Sequence, residues 1–154
     1  MGPDAFVSNI STVSYTIAFD PELRALTATA CGSPESPSLL QALDLMLADS
    51  RYGPGVGVLF DNSALDPTGV TRGQVEAIAH FLRARAGLIG DTPIASVSPT
   101  DLTFGLGRMA QLMADVAGLD IRIFRCAEQA RAWLRERLAA GAPAGGEVAS
   151  VSRR

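Results

Sequence analysis

The chain of 154 residues contains no lysine; all 13 of its basic side chains are arginine. Those arginines are scattered and the net charge is −3, so no basic block is available to track a phosphate backbone, and nucleic acid is not an expected partner. The missing lysine, beside abundant alanine and glycine, reads as compositional bias and carries no mechanism. Histidine occurs once, at His80, and cysteine twice, at Cys31 and Cys126. Far apart and in no ligand spacing, these leave too few soft ligands for a zinc centre, so no metal and no cofactor are expected and both cysteines read as reduced thiols. The first residues, Met1 to Phe6, lack the charged and apolar regions of a leader, and Phe6 does not fit a myristoylation pattern. A cytoplasmic location without a membrane span is the expectation.

What is present is an alternation of strand and helix signals. At 47% hydrophobic and 19% charged, the chain supports one buried core, expected over residues 11–140, with a flexible start at 1–10 and a disordered tail at 141–154. Val13 to Phe19 and Ala25 to Cys31, separated by Asp20-Pro21-Glu22, predict a hairpin. Leu39, Leu43, Met46 and Leu47 recur at helical spacing up to about Ser50. Val56 to Phe60 is a continuous apolar run of the kind buried on both faces, ending at Asp61. Thr71 and Gln74 suit a capping box before the stripe Val75, Ile78, Ala79, Leu82, Ala86. Strands at Pro93 to Val97 and Ile121 to Arg125 then alternate with helices at Asp101 to Ala117 and Ala127 to Ala140. The order β-β-α-β-α-β-α-β-α predicts an α/β fold: a mixed five-stranded sheet flanked by helices, with the later strands parallel.

In such sheets, chemistry gathers off the carboxyl ends of the strands. That rule selects Asp61-Asn62-Ser63, Ser98 to Asp101, and Arg125-Cys126. Asp61 is a candidate general base or metal ligand, although a carboxylate there more often holds loop amides. Ser98 is a candidate nucleophile with no base beside it, and is better read as the cap of the following helix, with Pro99 in the first turn and Asp101 favouring the positive helix end. Arg108 falls off the stripe Leu102, Leu106, Met109, Met113, Val116, where it can hold an anion or simply face solvent. Gly105 and Gly107 each cost about 1 kcal/mol inside a helix, which points to a close approach. His80 reads as a surface residue paired with Glu76, and Trp133 as part of the packing face of the last helix.

With Phe104-Gly105-Leu106-Gly107-Arg108-Met109 and Ala130-Arg131-Ala132-Trp133-Leu134, this order of elements resembles the bacterial STAS-like (STAS/SEC14-domain) proteins, which are similar to anti-sigma-factor antagonists. The resemblance covers about residues 11–138. It implies a regulatory module without catalytic machinery, working through a protein partner, with a Ser or Thr at a helix N-terminus that a kinase phosphorylates; the excess apolar surface also allows a homodimer. Here the corresponding segment, Asp61 to Thr71, lacks the Asp-Ser-Ser-Gly-Leu signature; Ser63, Thr68 and Thr71 are its nearest equivalents, and a helix N-terminus would stabilise the phosphoryl group. The SEC14 side implies the alternative: a small hydrophobic or anionic ligand held between the Leu39 to Leu47 and Asp101 to Ala117 helices, with Arg108 or Arg125 on an anionic head. An enzyme using Asp61 with Ser98 or Cys126 is the third and weakest reading, because no nucleophile, base and orienting group form a set.

Overall fold

A computed structural model describes residues 14–31, 37–64, 72–115 and 118–140. Strands β1 (Tyr15–Asp20), β2 (Ala25–Ala30), β3 (Gly57–Asp61), β4 (Ile94–Val97) and β5 (Ile121–Phe124) form one sheet in the order β1-β2-β3-β4-β5. The hairpin pair is antiparallel, with Tyr15 opposite Ala30, and the next three pairings are parallel. The helices are α1 (Leu39–Leu47), α2 (Arg72–Ala84), the single turn α3 (Ala86–Ile89), α4 (Asp101–Asp115) and α5 (Ala127–Ala140). The expected α/β class and mixed five-stranded sheet are present. The expected flexible start and tail, Thr68, Thr71 and the end of the Asp101 to Ala117 helix lie outside the described residues.

The topology follows from handedness. Parallel strands added in sequence along one direction, each through a right-handed crossover, place every crossover helix on the same face. That face carries one core, in which Leu26, Val58, Phe60, Ile94, Ile121 and Ile123 meet Leu43 and Met46 of α1 and Leu82 of α2. No strand follows α5, so it folds back over the other face, where Ala130 and Leu134 pack on Leu59, Ala95 and Val97. The central strands are therefore covered on both sides, which is why Gly57 to Phe60 are all buried. Gly57 gives α5 room: a Cβ there would lie 3.1 Å from Leu134 Cδ2.

Three elements depart from expectation. The helix expected to continue to Ala86 stops at Ala84, where Arg85 leaves the helical path. The Arg85 guanidinium stacks on Phe81 at 3.4 Å and grips Asp44 of α1 through bonds of 2.6 and 3.2 Å. The stripe on α4 is rotated: Leu102 and Leu112 are exposed, and the inward face carries Thr103, Leu106, Gly107 and Ala110. Two contacts set that rotation, because α4 packs on β5 beneath it and on α2 beside it. Leu45 likewise faces solvent, so the apolar face of α1 is narrower than the composition of that helix suggests.

Candidate functional site

Backbone pairing continues one residue beyond two of the central strands. The Asn62 N–H donates to Val97 O at 2.9 Å, and the Ser98 N–H donates to Phe124 O at 2.7 Å. Strand alternation therefore also continues, placing Asn62 on the face of Val58 and Phe60, and Ser98 on the face of Ile94 and Ser96. Because β1 runs antiparallel, its first residue, Tyr15, reaches this same end of the sheet. Four polar side chains thus collect beneath the helical layer at the carboxyl ends of the parallel strands.

Three of them form a chain. The Tyr15 hydroxyl donates to Asn62 Oδ1 at 2.5 Å, and Asn62 Nδ2 donates to Ser96 Oγ at 3.1 Å. The two lengths suit an O–H donor and an N–H donor respectively, which fixes the orientation of the amide. Tyr15 is 1% exposed and meets Phe60 edge-on with ring centroids 5.9 Å apart. Burial pushes its phenol far above the ordinary value, so the ring stays neutral and remains a donor. Ser98 is 2% exposed, and its hydroxyl has no partner in the protein among the described residues. A buried hydroxyl left in this state costs about 1–3 kcal/mol.

These groups floor one end of a partly enclosed cavity of about 430 Å³. Its walls are Leu39 and Leu43 of α1, Val75, Ile78 and Leu82 of α2, and Leu106 and Ala110 of α4; Phe60, Ile94, Ile121 and Ile123 complete the floor. Among the described residues, no Asp, Glu, Arg or His lines it. The space arises because α2 packs chiefly on α4 and stands away from the strands, while α4 reaches the sheet through Gly107, where a Cβ would lie 3.1 Å from Ile123 Cγ2. One turn on, Ala110 presents only a methyl group to the cavity.

Of the residues singled out in the sequence, Asn62 and Ser98 line the cavity. Asp61 accepts the Ser63 N–H at 2.9 Å, the loop-amide role of such a carboxylate, and Ser63 is exposed. Asp101 and Arg125 pair with each other at 2.9 Å, and the Arg125 guanidinium lies 4.3 Å over Phe104. Arg108 is exposed on α4, and neither it nor Arg125 lines the cavity. Ser98 does not cap α4. Thr100 does, its Oγ1 accepting the Thr103 N–H at 3.1 Å and its carbonyl accepting the Phe104 N–H at 2.8 Å. The reason is positional: Ser98 is still paired as strand, two residues too early to reach the first free helix amides.

Tyr15 and Ser96 escaped the sequence reading. The signal for Ser96 was a hydroxyl at an inward position of the otherwise apolar strand Ile94-Ala95-Ser96-Val97. Tyr15 gave none, since a tyrosine at a strand start is ordinary. Among the described residues no group of three or more His, Cys, Asp or Glu could hold a metal ion, and no helix is long and apolar enough to cross a membrane. Comparison with protein-family models, with curated proteins and with solved structures gives no match to this chain.

Proposed function

We propose that the domain binds a small, largely apolar molecule between its helical layer and its sheet, and works by binding rather than turnover. The observation that carries this is the cavity of about 430 Å³ with apolar walls and a short polar floor at one end. Small-molecule sites have this form, typically about 300–1,000 Å³ with a few placed polar groups. Protein interiors otherwise fill such spaces with their own side chains. The unpartnered Ser98 hydroxyl supports the same reading, because its burial cost is recovered only when something else supplies the bond. Among the described residues that line the cavity none is Asp, Glu, His or Cys, and the one ionisable group, the Tyr15 phenol, is held neutral by burial and donates to Asn62. In this respect the domain shares the non-enzymatic character that the STAS-like resemblance implies.

The test uses N-phenyl-1-naphthylamine, a neutral apolar dye that brightens in dry sites. Wild-type protein should enhance its emission saturably, and Ala110→Phe, which projects a ring into the cavity, should abolish the enhancement while keeping the wild-type circular dichroism. No enhancement by wild type, or equal enhancement by Ala110→Phe, would refute the proposal.

A further inference from the structure

The polar end of the cavity has a direction. Tyr15 spends its proton on Asn62, and Asn62 Nδ2 gives one of its two amide protons to Ser96, whose Oγ is thereby an acceptor. The Ser96 proton has no acceptor in the protein among the described residues, nor has the proton of buried Ser98. Both residues lie on one face of β4 and its extension, two positions apart, which separates their Cα atoms by about 6.6 Å. Two hydroxyls at that spacing can converge on a single oxygen held between them.

We infer that the site takes an uncharged carbonyl compound, its oxygen accepting from Ser96 and Ser98 and its hydrocarbon portion lying among α1, α2 and α4. A carbonyl oxygen offers two lone pairs, one for each of the two hydroxyl protons. Charge is excluded on electrostatic grounds. A carboxylate would enter a site with no cation among the described residues, because Arg125 is committed to Asp101 and Phe104 and Arg108 faces solvent. Size follows from the volume: the cavity of about 430 Å³ lies toward the lower end of the range of about 300–1,000 Å³ for small-molecule sites. A medium-chain ketone or ester fits. This inference rests on the binding reading above and adds the polarity of the ligand.

The experiment compares decan-2-one, decane and decanoate at pH 8 as displacers of N-phenyl-1-naphthylamine from the full chain, with the infrared carbonyl stretch of bound decan-2-one as a second readout. Decan-2-one should bind roughly tenfold tighter than decane, decanoate should bind weakest, and the bound carbonyl stretch should lie below its value in hexane. In Ser96→Ala and Ser98→Ala the preference for the ketone should shrink and the stretch should return toward the hexane value, with decane binding kept. Equal binding of ketone and alkane with an unshifted stretch in the wild type would overturn the inference and leave the binding reading intact. Decanoate binding tightest would overturn it as well. Failure of dye and all three compounds to bind would remove both. Because the infrared shift is read on wild-type protein, the inference is decided even if a variant fails to fold.

Discussion

Two neighbouring hydroxyls, Ser98 and Thr100, show how little residue type alone determines a role. Either can cap a helix. Backbone pairing to Phe124 keeps Ser98 in the strand, and the duty passes to Thr100, whose side chain reaches the Thr103 N–H. The consequences of removing them should be opposite. Thr100→Ala should lower stability by about 1 kcal/mol, the usual cost of losing a cap. Ser98→Ala should leave the ligand-free protein unchanged or more stable by up to about 1 kcal/mol, because it deletes a buried hydroxyl that has no partner. Urea denaturation of both variants checks this; a loss from Ser98→Ala as large as that from Thr100→Ala would show that the hydroxyl is structurally satisfied.

Among the helices, α4 carries the clearest conflict between local preference and packing. Its two glycines looked equivalent in the sequence, each a weakness that implies close approach. They are not equivalent: Gly107 sits against Ile123, whereas nothing lies within 4 Å of a Cβ built at Gly105. Gly105→Ala should therefore stabilise by about 0.5–1 kcal/mol through helix propensity. Gly107→Ala gains the same propensity but must push α4 from β5, so it should be less stable than Gly105→Ala by about 1 kcal/mol. Thermal melts of the two variants side by side provide the comparison, and equal melting temperatures would contradict the close approach. The expected stripe on α4 failed for a related reason. Periodicity marks a helix with an apolar side, but the rotation of that side was set by simultaneous contact with β5 and α2, which no local pattern encodes.

Across the fold, the first hairpin and the last helix are tied by Asp20 and Arg131, 111 positions apart. The Leu23 amide, followed by the Arg131 guanidinium, holds the Asp20 carboxyl below its ordinary range, against the opposing effect of desolvation. A carboxyl that titrates lower in the folded than in the unfolded chain favours folding in its charged form. Its contribution is complete above the unfolded value of about 4 and is lost as the pH falls below it. The stability difference between wild type and Asp20→Asn should accordingly be larger at pH 7 than at pH 2.5, measured by denaturant unfolding at each pH; a constant difference would mean that the carboxylate charge contributes nothing.

The α/β class, the hairpin, the parallel order and the packing face of α5 were legible in the linear pattern, because period and punctuation are properties of neighbouring residues. Asp61 and Asn62 were legible as a strand end, and the loop-amide role of Asp61 followed from its chemistry. The cavity was not legible. It depends on α2 resting against α4 instead of on the strands, and on Tyr15, Asn62, Ser96 and Ser98 meeting from three strands. Hydrophobic pattern selects which faces turn inward, and chirality then places the crossover helices on one side of the sheet. How closely those faces meet is settled by volumes and contacts between segments distant in sequence, and that distance determines whether a core fills itself or leaves a site.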